Sequence, residues 1–273
     1  MAITTLDGLI AGLQPPQDFL KVGATMEAAG VLHSMFYTTG VPGAAAAPSP
    51  GINGAALTTY AGQIPWSNPG AGNGYLARVS VNASLAGTLY VCDRLWHNSG
   101  IVSATTTAQA ITTPTFPARD RDGSTNGVGV MMGLEVSVAT TNGSAIANTT
   151  LNYTDSAGTT GNTATITSFP ATAVAGTFVP FQLEAGDLGV RAITAASSGG
   201  ITLGTSYGTG TVHLVAYRVL AVVPVSVANA GSVADTVSGL LPRMYADSVP
   251  FLLWRPSATT ATTIQGQIVY AHG

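Results

Sequence analysis

From residue 75 onward the chain alternates apolar and polar positions with a period close to two. YLARVSVNAS and GTLYVCDRLW change face at nearly every step. GVGVMMGLEVSVAT, TFVPFQLEAG, LGVRAIT, GTVHLVAYRVLAVVPVSVA, VPFLLWRP and TTIQGQIVYAHG continue the habit. Alternation of this kind marks strands that bury one face. TDSAGTTG, between the β-rich runs 149–153 and 163–167, predicts a hairpin turn. Many strands spaced by Gly-, Asn- or Asp-bearing turns predict an all-β body, an antiparallel jelly-roll-like β-sandwich over residues 75–273.

The first quarter has a different character. Thr4 or Thr5 can cap a short helix, Asp7 falls in its first turn, and Pro15-Pro16 stops it. Met26, Ala29, Leu32, Met35 and Phe36 recur near helical spacing and predict a second helix over 25–37. Gly30 opposes it, and a strand over 31–38 competes. GVPGAAAAPSPG and SNPGAGNG then frame an apolar island at 55–66. Residues 1–74 therefore read as a helical and loop-rich arm, separable from the body.

Composition changes the picture next. Only 8% of the 273 residues are charged, against about 25% in an ordinary globular chain. Lys21 is the single lysine, while Ala (41), Thr (37) and Gly (33) dominate. Threonine suits a pleated, half-buried surface. A monomeric surface normally stays apart from its neighbours through mixed charge, so this composition points to a chain packed into an assembly. The net charge of −3 and scattered basic residues lack the footprint of a nucleic-acid binder. One cysteine, Cys92, excludes an intrachain disulfide and fits a reducing folding compartment. The opening MAITTLDGLIAGL has no basic n-region or long apolar core, so no secretory signal is expected. Arg218 and Pro224 interrupt the apolar run 212–230, and no membrane helix is expected there.

Little in the chain reads as catalytic. Asp120, Asp122, Ser124 and Asn126 resemble half of a calcium loop, but Gly123 falls at the fourth position and Met131 at the twelfth, where a bidentate Glu belongs. A turn with alternating charges accounts for them. Cys92, Asp93, Arg94, Trp96 and His97 form the densest functional cluster, and the other histidines, His33, His213 and His272, lie far away in sequence. Cys92 reads as a small buried hydrophobe. Glu184 and Asp187 flank a turn, where acids are ordinarily solvated. No nucleophile elbow, phosphate loop, dinucleotide fingerprint or HExxH occurs. No enzyme activity, cofactor or metal is expected.

Arg–aromatic pairs recur at Arg94/Trp96, Tyr217/Arg218 and Trp254/Arg255, and both residue types are enriched at interface hot spots. Ile52, Leu57, Tyr60, Ile64 and Trp66 in the arm need cover, from a neighbouring subunit or from the body. These eleven residues are the candidate interface.

Several segments carry a resemblance. MEAAGVLHSMFYTTGVPGAAAAPSPG, CDRLWHNSGI, TLNYTDSAGTTGNTATI, SFPATAVAGTFVPFQLEAGDLGVRAI, VHLVAYRVLA and VPFLLWRPSATTATTIQGQIVYAHG resemble a family of tailed-bacteriophage and prophage virion structural proteins. The resemblance covers most of the chain and brings no catalytic residue. It implies a place in the virion, after assembly in the bacterial host cytoplasm. A protein that decorates or cements the capsid is expected, contacting the major capsid protein or other virion proteins as a homo-oligomer, a dimer or trimer. No nucleic-acid or membrane partner is expected. A tail, neck or head–tail connector protein is the alternative within the virion. A carbohydrate-binding adhesin using Trp66, Trp96 or Trp254 is the alternative of another class.

Overall fold

The computed structural model describes residues 3–23, 28–112, 114–194, 199–239 and 242–273. Its strands pair antiparallel, and the chain is all-β with little helix. Two compact units divide it. One comprises residues 1–46, 58–93 and 219–273, and the other residues 47–57 and 94–218. The division falls inside two strands, Gly87–His97 and Thr211–Val225. It does not follow the sequence-derived boundary at residue 74.

In the first unit, Gly231–Asp235, Gly74–Ala83, Thr263–His272, Gln17–Val22 and Thr39–Val41 lie side by side in that order. Period-two patterning sets which side chains go inward. Along Gly74–Ala83, Val79, Val81 and Ala83 are buried, while Arg78 is exposed and Ser80 and Asn82 are half-buried. A second ladder pairs Leu32–Ser34 with Pro250–Pro256, and the latter with the first half of Gly87–His97. Phe19, Leu76, Val79 and Ile268 from the first sheet share a core with Val91, Leu252 and Trp254 from the second. Two layers around one core make a sandwich.

In the second unit, Val130–Val138 lies between Thr177–Pro180 and the first half of Thr211–Val225. A separate small sheet centres on Thr149–Asp155, with Asn162–Ile166 on one side and Val190–Ile193 and Ile201–Thr202 on the other. The expected hairpin over TDSAGTTG is present. Asp155 accepts from the Thr159 N–H at 2.7 Å across its turn. Leu134, Val136, Leu151, Tyr153 and Leu214 build the core.

The N-terminal helix is Leu6–Gly12, capped by the Thr5 hydroxyl, which accepts from the Gly8 N–H at 3.0 Å. The second expected helix does not form over the described residues. Thr25 to Glu27 lie outside them, Leu32–Ser34 is a strand, and Met35–Tyr37 is one 3₁₀ turn. Gly30 at φ +87° breaks the helical register, and the competing strand reading describes Leu32–Ser34. A four-residue helix at Thr236–Gly239 had no clear sequence signal.

The arm is integrated into the fold. Ile64 lies in the core of the first unit, and Trp66 packs against that core. Leu57 is buried, and Ile52 packs on the core of the second unit. Tyr60 stacks on Phe36 at 5.3 Å. The five apolar side chains are covered by their own chain, because strands leave ridges that a loop can seal. Lys21 holds the neighbouring loop as well, donating to the Pro42 carbonyl at 2.7 Å. Its burial lowers its pKa to about 8. Deleting residues 40–74 is therefore expected to unfold the protein, because losing even two buried large apolar side chains costs several kcal/mol, at roughly 2–5 each. Circular dichroism and a melting curve of the deletion variant check this; a cooperative transition at the full-length temperature would refute it.

Candidate functional sites: a buried polar network and a charge-poor surface

A large share of the scarce charges is spent inside. Lys21, Asp93, Arg94, Arg119, Asp120, Glu135, Asp155 and Arg218 are all buried. A buried charge is tolerable only when paired and hydrogen-bonded. The second unit meets that demand with one network. Arg94 forms a bidentate pair with Glu135, at 2.9 Å to Oε1 and 2.7 Å to Oε2. Its Nε–H donates to Nδ1 of His97 at 3.1 Å.

The network continues through His213, which lies opposite Glu135 across the strand pair. His213 Nδ1 lies 2.8 Å from the Asn98 carbonyl, and its Nε2 lies 2.7 Å from Ser137 Oγ. Asn98 receives the Leu214 N–H on its side-chain oxygen and donates to the Ile52 carbonyl. Arg119 donates to the carbonyls of Leu57 and Arg94 at 2.7 and 3.1 Å. The buried polar groups thereby fasten the segment around Ile52 and Leu57 to the end of the Gly87–His97 strand. Burial, and secondarily Arg94, pushes the His97 pKa down to about 3. Burial also lowers His213.

Only Cys92 to His97 among these groups stood out as a dense motif. Glu135 and Ser137 gave one signal that could have been followed: they share a face in the apolar run GLEVSV. A carboxylate in such a run, in a chain this poor in charge, needs a cationic partner.

The structure changes the standing of the candidate interface residues. Arg94, Trp96, Tyr217, Arg218 and Trp254 are buried within the chain. Their pairing in sequence reflects core packing, because a side chain without accessible surface presents nothing to a partner. Trp254 fills the space a side chain at Gly87 would occupy, since a Cβ there would lie 2.4 Å from its ring. Arg255 alone among the Arg–aromatic residues is exposed, with its guanidinium 5.5 Å from the Tyr90 ring centre. Leu57 and Ile64 are buried, and Ile52, Tyr60 and Trp66 are half-buried.

The Asp120 loop is built for hydrogen bonding. The carboxylate accepts the backbone N–H groups of Asp122, Ser124, Gly127 and Val128 and the Ser124 hydroxyl. Five donors converge on it, and a cation would meet their positive ends. These bonds hold the Asp120 pKa below the usual carboxylate value. No group of three or more His, Cys, Asp or Glu able to hold a metal occurs among the described residues. Cys92 is buried, and burial, with Asp93 beside it, pushes its thiol well above the ordinary range. The acids Glu184 and Asp187 organise a turn. Tyr153 donates to Asp187, Glu184 N–H donates to the Tyr153 hydroxyl at 3.0 Å, and Glu184 accepts from the Thr163 N–H at 2.7 Å.

The exposed surface is sparse in charge. Across the five-stranded face of the first unit, Asn82, Gln265 and Leu20 form one outward row, and Ser80, Gln267 and Asp18 the next. Val22, Val41 and Val233 are exposed on these strands. Leu6, Ile10 and Leu13, at helical spacing along the N-terminal helix and its cap, are 61%, 58% and 46% exposed.

No family model matches the chain, and no curated protein matches it. Among solved structures it is similar to the VP2 subviral particle of infectious bursal disease virus, at 10% identity and TM-score 0.17, covering 96% of this chain and 81% of that one. The Gx strain of the same virus gives 10% identity and TM-score 0.18, over 94% and 81%. Likenesses this faint assign neither a fold relative nor a role.

Two outcomes follow from the charges. His97 is neutral in the folded protein, whereas the unfolded chain protonates it near pH 6.5. Stability from this source is complete above pH 6.5 and is lost as pH falls toward about 3. His213 and Asp120 act with the same sign. Melting temperature should fall with acidification, and less so in His97→Asn, whose side-chain oxygen can accept from Arg94 but cannot be protonated. Melts at pH 7 and 4.5 compare the two slopes. Separately, Asp120→Ala should lower stability by about 1–3 kcal/mol by orphaning the buried Gly127 N–H and loosening four half-buried bonds. Calcium should leave the wild-type melt unchanged, and calcium-dependent stabilisation would overturn the hydrogen-bonding account of this loop.

Proposed function

We propose that this chain is a structural, non-enzymatic virion protein that decorates or cements a phage capsid through subunit–subunit contacts. The exposed apolar stripe of Leu6, Ile10 and Leu13 on a charge-poor surface carries the reading. Interface cores are depleted in charge, and exposed apolar residues that recur on one side of a helix call for cover. With eight charged side chains buried, the remaining charges are spread thinly among hydroxyls, amides and small apolar groups, which favours association. The sequence resemblance to tailed-phage structural proteins supports the same role. Its partners are the major capsid protein or other virion proteins, with further copies of this chain in a dimer or trimer.

The exposed arginines, Arg78, Arg121, Arg191, Arg243 and Arg255, give nucleic acid no basic run to follow. Among the described residues no helix is long and apolar enough to cross a membrane. The adhesin alternative loses support, because Trp96 and Trp254 are buried and Trp66 is packed on Tyr270. A position in the tail, neck or head–tail connector remains the second reading within the virion. Copy number in purified particles separates these positions, with hundreds of copies for a head or tail-shaft protein and about a dozen for a neck ring.

The stripe is tested with Leu6→Asp combined with Ile10→Asp. Co-sedimentation with particles lacking the protein should fall at least about tenfold, which corresponds to about 1.4 kcal/mol of lost contact, while the melting temperature stays near that of the wild type. Undiminished co-sedimentation would move the contact away from this helix.

A further inference from the structure

The Ser137–His213 contact has a defined proton arrangement. The Asn98 carbonyl can only accept, so His213 Nδ1, 2.8 Å away, carries the ring proton. With the ring neutral, Nε2 is then bare, and the Ser137 hydroxyl at 2.7 Å must be the donor. A serine whose O–H points at the free nitrogen of a neutral imidazole, oriented by a third group, has the arrangement of an activated nucleophile.

The fold also sets Ser137 apart. The register between Val130–Val138 and Thr211–Val225 slips where Val212 faces Val136 and Thr211 faces Val138. Ser137 is the extra residue of a β-bulge, a feature that re-aims a side chain. The neighbouring polar groups on the same face, Glu135, His213 and Arg94, are buried, whereas Ser137 is half-buried and Val138 is exposed. Ser137 is thus the least buried residue of this polar group.

We propose that Ser137 is an acyl-acceptor site, with His213 as its general base and the Asn98 carbonyl as the positioning group. The substrate class is a small activated ester. Ser137 Oγ bonds to the acyl carbon while its proton passes to His213 Nε2. The bond from the acyl carbon to the leaving oxygen breaks, and that oxygen takes the proton from Nε2. The products are O-acyl serine and an alcohol, and His213 returns to its neutral form. This modification is a single event per chain and is independent of the assembly reading. The charged and titratable groups around His213 are Glu135 across the strand pair, Arg94 paired to it, and His97. Burial lowers the His213 pKa, which favours the neutral ring that the proton transfer needs.

The test treats the folded full chain with p-nitrophenyl acetate and, separately, with a biotinylated fluorophosphonate. Peptide mass mapping locates the adduct. Expected is one acetyl or phosphonyl group per chain on Ser137, with a matching single release of p-nitrophenol and no adduct at that position in Ser137→Ala. His213→Asn, confirmed folded by its melting curve, should react at least about a hundredfold more slowly, the scale of general-base assistance. If that variant does not fold, the wild-type rate decides. It should stay level as pH falls from 8 to about 6.5 and decline only below, whereas an unassisted hydroxyl slows about tenfold per pH unit. An unmodified Ser137 in folded protein, or equal rates in wild type and folded His213→Asn, would overturn the proposal and leave the pair a structural clasp. Release of many equivalents through Ser137 would keep the reactive serine but overturn the non-enzymatic reading.

Discussion

The bidentate pair between Arg94 and Glu135 is the constraint on which the second unit depends. Both side chains have no solvent exposure. Removing either partner would strand a charge in the interior, at a cost of about 3–5 kcal/mol. Each charge fixes its surroundings in turn. Arg94 requires a bare nitrogen on His97, and Glu135 sits opposite His213, whose own two bonds engage Asn98 and Ser137. Asn98 and Arg119 then reach the carbonyls of Ile52 and Leu57. A loop rich in Gly and Pro is thereby held without long secondary structure of its own.

Charge economy links this interior to the surface. Twenty-one charged side chains serve 273 residues, and eight of them are buried. What remains outside is spread thinly. The outward rows of Asn82, Gln265 and Leu20 and of Ser80, Gln267 and Asp18 on the first unit, and the exposed leucine and isoleucine of the N-terminal helix, are what such a distribution leaves. The same economy that satisfies the core leaves the exterior sparse in charge.

The Arg–aromatic pairs show how local wording misleads. Arg94/Trp96 and Tyr217/Arg218 read as surface anchors because adjacent Arg and aromatic residues are typical of hot spots. The interior instead uses Arg94 as an ion-pair partner and Trp96 as core volume. Asp120 is the converse case. The sequence there favours a turn over a cation loop, and the folded turn aims N–H donors at the carboxylate. For the Arg–aromatic pairs, side-chain chemistry was legible and its direction was not.

The sequence by itself determined the all-β class, the strands after residue 75, the Thr5-capped helix and the hairpin at Asp155, because period-two burial, capping and turn geometry act over a few residues. It also determined that charge would be scarce. Only the tertiary structure decided that the arm packs into the cores, that the chain divides inside two strands, and that Glu135 meets Arg94 forty-one positions away. It also decided that Ser137 meets His213. These outcomes depend on strand register, and a shift of one residue would turn every side chain to the opposite face. Register is set by the collective packing of distant strands, so no local stretch of sequence encodes it.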